Sequence, residues 1–339
     1  MRRWLVLRFF WLLASLLGIT FLTFAFLDLA PVDRAELEAA QAAQQGAFPD
    51  ARSRDAAVLR LRVSYGMADP STLEPLPLGR RYLAWLQNAA LLRFAGPNGD
   101  HAAIWRRLGE AMPVSALLAC LSLLVAFGLG RPLGAWLGMC AGSRWDRAAS
   151  RVLFLFAGVP EFLLAMLLLL TFGSAWLQWL PTQGLRTNGS EQWPLAQQVG
   201  DFARHLVLPV TVMSVGPFVL ITRFLRDSVA RAANAPFAAS LRALGTPPAV
   251  VRRRVLHNAS APLATLSGSL LPMIVAGSIV VENMFSLDGL GHLGLQAVLA
   301  QDQAMVMALV VITSITTLLS LVVSDLLHHV IDARVRLRP

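Results

Sequence analysis

The chain has 339 residues, a formal net charge of +9 at pH 7, and only 14% charged residues against 56% hydrophobic ones. Soluble globular proteins carry about 25% charged residues, so this composition excludes a soluble or a disordered chain and indicates a polytopic membrane protein. All 29 basic residues are arginine. Because a P-loop places a lysine on the nucleotide phosphates, a chain without lysine is not a P-loop ATPase.

Six apolar stretches follow along the chain, each close to the roughly 20 residues with which an α-helix crosses a bilayer. They are residues 9–27, 113–138, 152–180, 206–225, 263–283 and 305–327. The apolar run of the first is longer than that of a signal peptide, which favours a retained membrane helix. We therefore predict an all-α membrane protein with six spans. Its parts are a first helix (1–30), an extracytoplasmic segment (31–112) and a five-helix core (113–339).

Arginine in the short loops predicts the orientation of these spans. The two termini and the loops 139–151 and 226–262 hold fifteen arginines. The loops 181–204 and 284–304, on the other side of the membrane, hold two. Positive residues favour the cytoplasmic side, so both termini and loop 226–262 are expected in the cytoplasm. Membrane topology thus explains the basic charge, and no nucleic-acid partner is expected.

The extracytoplasmic segment 31–112 contains helical patterns. Residues 33–45 are rich in alanine, glutamate and glutamine, and residues 78–94 place Tyr82 and Trp85 on one face at helical spacing. Tyrosine and tryptophan on such a face favour the lipid interface. An ordinary surface helix explains the same pattern, and the sequence does not decide between the two.

Loop 226–262 carries the signals of a short bracketed helix. Pro236 stands where a helix could begin, and Gly245 stands where it could end before Pro247. The pattern predicts a helix of about two turns that projects into the cytoplasm. Such a helix is suited to docking on a partner, although a solvated loop that only enforces topology remains an alternative.

This loop resembles the coupling segment of ABC-transporter importer permeases, whose pattern is E-A-A-x-x-x-G. Gly245 matches the glycine, and Ala239-Ser240-Leu241 occupies the E-A-A positions. The dipeptide, oligopeptide and nickel branch has Y-x-x-x-A-R-A-K-G, which is matched by Phe237 and by Leu241-Arg242-Ala243-Leu244-Gly245. The resemblance implies an ATPase-coupling site formed by Pro236, Phe237, Ser240, Leu241, Arg242 and Gly245. Phe237 and Leu241 would then supply apolar docking contacts, and Arg242 would pair with acids on the ATPase.

A second match lies after the fifth predicted span. The branch carries G-x-x-x-x-E-x-x-F-S-W-P-G-L-G, and residues 277–291 follow this pattern with Leu287-Asp288 in place of W-P. The resemblance implies an extracytoplasmic gate or partner-binding turn formed by Glu282, Phe285, Ser286, Gly289 and Gly291. Shorter matches are G-x-P-x-G at 130–134, G-S-x-x-D-R at 142–147, I-P-x-F at 159–162 and D-L-L…D-P-R-I-R at 325–336.

The resemblance also implies an assembly in the bacterial inner membrane. The chain would form a heterodimer with a second, similar permease subunit and would bind two ABC ATPase subunits and an extracytoplasmic solute-binding protein. ATP and Mg would be bound by the ATPases, and this chain would hold no cofactor, metal or catalytic residue. Peptides are the commonest cargo of the branch, but nickel, metallophores, opines and sugars stay open.

Buried acids and nucleophiles keep two other functions under consideration. Glu161 lies inside the third predicted span, where it could line a pathway or pair with Arg131 or Arg223. With Asp325 it could serve an ion-coupled secondary transporter. An intramembrane serine peptidase would need Ser269 or Ser278 beside a histidine at matching depth.

Overall fold

The computed structural model describes residues 2–29, 34–94, 100–174, 176–270 and 278–331. These residues are helical apart from their connections, and one isolated β-bridge joins Ala68 to Pro75. The prediction of an all-α chain is therefore confirmed. The α-helices are α1 (Arg2–Asp28), α2 (Arg34–Gln44), α3 (Ala51–Ser64), α4 (Leu78–Ala90), α5 (His101–Met139), α6 (Arg144–Gly158), α7 (Glu161–Leu168), α8 (Leu195–Ala233), α9 (Pro236–Ala243), α10 (Pro248–Leu270), α11 (Ile279–Met284), α12 (Leu290–Leu299) and α13 (Gln303–Ile331). A π-helix (Leu169–Ser174) follows α7, and a 3-10 turn (Ser190–Gln192) precedes α8.

Four segments of the described chain are long and apolar enough to cross a membrane. They are Leu7–Asp28, His101–Met139, Leu195–Ala233 and Gln303–Val322. A fifth candidate is a pair of helices, α6 with α7 and its continuation, that passes the same test together but is bent by 99°. The predicted span 263–283 includes residues 271–277, which lie outside the described residues. Six spans therefore stay a prediction, and so does their orientation.

The span predicted over 152–180 is not one straight helix. Helix α6 ends at Gly158, and a new helix begins at Glu161 after a sharp bend. Pro160 lacks an amide hydrogen and disfavours a helical conformation at the preceding residue. Val159 is accordingly extended, with φ −80° and ψ 119°. The apolar composition of the stretch conceals this break, because hydropathy does not report the direction of a helix.

Two compact units can be described separately, and the first comprises residues 1–111 with 293–315. Within it, α2 and α3 pack together around Ala35, Ala39 and Val58. Helix α4 packs on α1, and the Tyr82 hydroxyl lies 3.0 Å from the Thr20 hydroxyl. The face of α4 predicted from spacing is thus a packing face, on which Trp85 stacks against Tyr82.

The second unit comprises residues 112–292 with 316–338, and α8 is its central helix. Helices α6, α7 and α10 all pack against α8. One apolar cluster lies around Leu118, Leu206 and Phe285, and a second lies around Ile221 and Val255. The second cluster also includes Ala238 of α9, so the short helix is part of the packed unit rather than a detached loop.

Three glycines on α5 bring this helix close to α8. A Cβ at Gly134 would lie 2.6 Å from the carbonyl oxygen of Thr222, and a Cβ at Gly138 would lie 2.6 Å from that of Arg226. A Cβ at Gly130 would lie 3.1 Å from the Thr222 hydroxyl oxygen. Small residues spaced by four occupy one helix face, which permits backbones in a membrane to approach closely.

Candidate functional site

The bracketed helix predicted in loop 226–262 is present as α9. Pro236 occupies its first turn, where a missing amide hydrogen costs nothing. At its end, Gly245 adopts φ +70° and donates to Arg242 O at 3.0 Å, while Thr246 N donates to Leu241 O at 3.1 Å. This pair of bonds is a Schellman motif, which needs the left-handed conformation that glycine adopts without strain.

The side chains of α9 divide into an inward and an outward set. Phe237 and Leu241, the residues expected to contact an ATPase, are half-buried and pack against the apolar cluster of α8 and α10. Outward-facing residues are Pro236, Ala239, Ser240 and Arg242, and the large apolar side chain exposed here is that of the C-cap residue Leu244, which is 80% exposed. The sequence interpretation missed Leu244. The sequence feature that could have indicated Leu244 is its position: it directly precedes Gly245, which ends the helix, and lies one turn after Ser240 and Leu241.

Arg242 links α9 back to the helix before it. Its Nη2 donates to the carbonyl oxygen of Ala233 at 2.9 Å, at the end of α8. The last carbonyl groups of a helix lack intrahelical partners and carry partial negative charge, so a guanidinium is a favourable cap. Arg242 therefore holds α9 against α8. Its expected pairing with acids of an ATPase stays a prediction.

An open cavity of about 930 Å³ lies beside α9 and α10. Four basic side chains line it, namely Arg131, Arg253, Arg254 and His257. Phe237, Leu241 and Leu244 form part of its apolar wall. The structure thus groups Arg131 with the predicted coupling residues.

An ion pair with a buried carboxylate joins α6 to α8. Arg226 donates to Asp146 from Nε at 2.9 Å and from Nη2 at 2.5 Å. The backbone amide of Gly142 donates to the same carboxylate at 2.8 Å, and Ser143 caps the start of α6. The G-S-x-x-D-R match marked Asp146, but its partner is 80 residues away and carries no sequence signal of its own.

The five residues predicted as an outward turn also come together. Glu282 is fully buried, and its carboxylate accepts hydrogen bonds from the Ser115 hydroxyl at 2.7 Å and the Gly291 amide at 2.7 Å. The His292 and Ser278 amides donate to it at 3.0 and 3.3 Å. Two of these amides belong to the first turn of α12, which favours a negative charge. Glu282 therefore ties α11 to α12, with Ser115 of α5 as a partner that sequence reasoning missed.

The turn between these helices is tightly packed. Ser286 adopts φ +51°, and the Leu287 amide donates to Glu282 O at 2.8 Å, so α11 ends in a Schellman motif without glycine. A Cβ at Gly291 would lie 2.7 Å from the Ile279 nitrogen, and one at Gly289 would meet the Glu282 carboxylate. Phe285 is buried, and its carbonyl accepts from the Gly184 amide at 2.9 Å.

Glu161 and Arg131 are not brought together. Ser278 Oγ donates to Glu161 Oε1 at 3.3 Å. Glu161 lines a separate cavity of about 560 Å³ with Arg223 and Asp227, between α7 and α8. Of the two basic partners considered for Glu161, the structure places Arg223 in the same cavity and Arg131 in another.

The comparison with known families gives a direct result. The profile of the binding-protein-dependent transport system inner membrane component matches residues 130–337. The chain belongs to this family. A putative peptide permease protein of Brucella suis is 30% identical over 96% of both chains. The oligopeptide transport system permease protein AppB of Bacillus subtilis is 26% identical over 94% of this chain and 95% of its own. The peptidoglycan transport system permease protein YejB of Agrobacterium fabrum is 26% identical over 96% and 95%.

This membership confirms the resemblance to ABC importer permeases. The chain is a permease component of the inner membrane rather than a catalytic subunit, and the family favours an importer over the two alternative functions. In the described part of the chain, no group of three histidine, cysteine or acidic residues could hold a metal ion. Ser278 caps α11 through the Val281 amide at 3.2 Å, while the side chains of Ser269 and Asp325 lie outside the described residues.

Proposed function

We propose that this chain forms half of the translocation pathway of an ATP-driven importer for peptides, with six spans and both termini in the cytoplasm. The observation that carries the proposal is α9, a short helix that is bracketed by Pro236 and Gly245, packed against α8 and α10 on one face and exposed on the other. The substrate is supported by the relatives, which are named as permeases for peptides, oligopeptides and peptidoglycan.

The anchoring of α9 supports a role in transmitting movement. Two ATPase subunits, which bind ATP and Mg, would close around their nucleotides and displace α9. The Arg242 bond and the packing of Ala238 would carry this displacement into α8, and the Arg226–Asp146 pair would carry it into α6. The permease itself performs no covalent step and needs no cofactor.

Charged side chains on membrane helices support a pathway beside α7 and α8. Glu161 and Arg223 are exposed on this chain alone. Charges that face hydrocarbon are costly, whereas charges that face a water-filled path or a second subunit are tolerated. We therefore assign this face to the pathway and to the second permease subunit of a heterodimer.

The outward turn is assigned to the gate and to contact with the solute-binding protein. Phe285, Ser286, Gly289 and Gly291 form a compact turn that Glu282 holds from inside. Because the turn is held by α5, α11 and α12 at once, movement of these helices would shift it as a unit.

Co-purification of an ATPase tests the proposal. The Leu244→Arg variant replaces an outward side chain, so it is expected to lose the ATPase that the wild-type permease carries. The matched control is Leu195→Arg, because Leu195 is similarly exposed at the opposite end of α8 and should retain the ATPase. The proposal fails if the folded wild-type protein carries no ATPase, or if Leu244→Arg retains both the ATPase and peptide uptake.

A further inference from the structure

The cavity between α7 and α8 combines an apolar wall with a few charged side chains. Its volume is about 560 Å³, and sites that hold small ligands measure about 300–1,000 Å³. Most of the wall is apolar, with Phe156 and Met213 among its members. The charged side chains that line it are those of Glu161, Arg223 and Asp227. A ligand that fills this cavity is therefore largely apolar and carries charge at one or two points.

Two of these three charges have no ion-pair partner among the described residues. Asp227 contacts Arg226 Nη1 at 2.8 Å, although it lies one turn after Arg223 on the same helix. Arg223 itself makes no hydrogen bond or ion pair within the described ranges. Glu161 accepts one hydrogen bond, from Ser278 Oγ at 3.3 Å, which is long for a hydroxyl donor. The Glu161 carboxylate and the Arg223 guanidinium are thus both available to a ligand.

These two charges lie toward different ends of the cavity. Leu153 of α6 packs with Val219 of α8, and α7, which follows α6, packs in the apolar cluster that contains Met213. Glu161 begins α7 and therefore lies toward Met213. Arg223 comes ten residues after Met213, about 15 Å farther along α8. The cavity thus separates a negative group from a positive one.

A zwitterion with its charges at opposite ends matches this arrangement. A peptide with free termini carries an ammonium group at one end and a carboxylate at the other. An extended residue spans about 3.3–3.6 Å, so 15 Å corresponds to at most about four residues. The apolar wall favours apolar side chains between the termini. A metal ion or a neutral sugar would leave one or both of the charges without a partner.

We infer that this cavity holds a short peptide during its passage, with Glu161 accepting hydrogen bonds from the N-terminal ammonium and Arg223 donating to the C-terminal carboxylate. A guanidinium binds a carboxylate through two parallel hydrogen bonds, so Arg223 also orients the peptide. The inference rests on the proposed function, because it names the features of the peptide that the permease itself recognises. Selection for two free termini is then a property of this chain as well as of the binding protein.

Saturation-transfer NMR on the purified complex of permease and ATPase subunits, without the binding protein, tests the two termini separately. The probes are trileucine, N-acetyl-trileucine and trileucine amide. The wild type is expected to bind trileucine roughly tenfold more tightly than either blocked form, because each block removes a charged hydrogen-bonding group. Glu161→Gln should bind trileucine and its N-acetyl form equally but still discriminate against the amide. Arg223→Gln should show the reverse pattern.

The matched control is Glu191→Gln. Glu191 is an exposed carboxylate of the 3-10 turn before α8 and lies outside the cavity, so this variant should keep the wild-type pattern. Equal binding of all three peptides by the wild type would overturn the inference, and so would an equal loss for all three peptides in both cavity variants. Loss of the second permease subunit from both cavity variants would show that the two charges serve the subunit interface instead.

Peptide uptake by the complete importer, with its binding protein, separates this inference from the proposed function. Uptake by the wild type without discrimination between the termini in the isolated complex would refute the inference alone. Absence of ATP-dependent peptide uptake by the wild type would refute the proposed function and the inference together.

Discussion

Arg226 of α8 donates two hydrogen bonds to the carboxylate of Asp146 at the start of α6, at 2.9 and 2.5 Å. The Asp146 side chain is 2% exposed, and Arg226 also contacts Asp227 at 2.8 Å. A bidentate pair of this kind fixes the direction as well as the distance between two helices. The pair joins α6 to α8 within the second unit.

Removing the buried carboxylate should weaken the second unit. Asp146→Asn removes the buried charge that Arg226 contacts, and because Arg226 is 29% exposed and keeps Asp227 as a partner, the cost should lie below the about 3–5 kcal/mol of a fully buried pair. A lower unfolding temperature in detergent is the expected result. The control is Asp227→Asn, because the Asp227 side chain is 53% exposed and exposed pairs contribute little. Equal unfolding temperatures for the two variants would contradict a structural role for Asp146.

Glu282 should behave as a structural carboxylate. Glu282→Gln replaces one acceptor oxygen with an NH₂ group that faces amide donors, and an unmet buried donor costs about 1–3 kcal/mol. Thermal unfolding should show this loss. Because Ser115 donates to the same carboxylate, Ser115→Ala and Glu282→Gln should be less than additive. Asp288→Asn serves as the control, since that side chain is 95% exposed and should be neutral.

Both Schellman motifs should be more stable with glycine at their left-handed position, so the two substitutions should have opposite effects. Gly245→Ala forces a Cβ into φ +70° and should destabilise the end of α9 by about 1 kcal/mol. Ser286→Gly relieves φ +51° and should stabilise the end of α11 by a similar amount. Hydrogen exchange of the amides that close each motif, those of Thr246 and Leu287, measures both effects. Faster exchange at Leu287 in Ser286→Gly would show that serine makes a compensating contact.

The three glycines of α5 that lie against α8, Gly130, Gly134 and Gly138, provide a test of helix packing. Gly134→Ala places a Cβ 2.6 Å from a backbone oxygen of α8, so α5 must shift and the unfolding temperature should fall. Gly128→Ala is the control on the same helix, because a Cβ there meets nothing within 4 Å. It should be neutral or slightly stabilising, since alanine is the better helix former. A drop of equal size in both variants would indicate that the close approach is not required.

Local signals predicted α9 almost completely. Proline at the start and glycine at the end act within a few residues, so the bounds and the positive φ of Gly245 could be read from the sequence. The outward exposure of Leu244 and the inward packing of Phe237 could not, because they depend on where α8 and α10 lie. The same limit applies to Arg242, whose bond to Ala233 O depends on the angle between two helices.

Motif matching found one partner of each buried pair and missed the other. Asp146 and Glu282 belong to recognised patterns, whereas Arg226 and Ser115 lie 80 and 167 residues from them in the chain. A burial pattern along one helix carries no information about which distant residue completes a hydrogen bond. The bend at Pro160 was missed for a related reason. Apolar composition indicates how long a membrane segment could be, but not the direction in which its helices run.

The sequence by itself determined the class of this protein, its helical content, the bracketed helix α9 and the absence of lysine that removes a P-loop. These properties follow from composition, periodicity and backbone preferences, which act over short distances along the chain. Only the tertiary structure decided which charges are paired and which apolar residues at α9 remain exposed. Those properties depend on the packing of helices that are far apart in sequence, because burial and hydrogen bonding are set by neighbours in space.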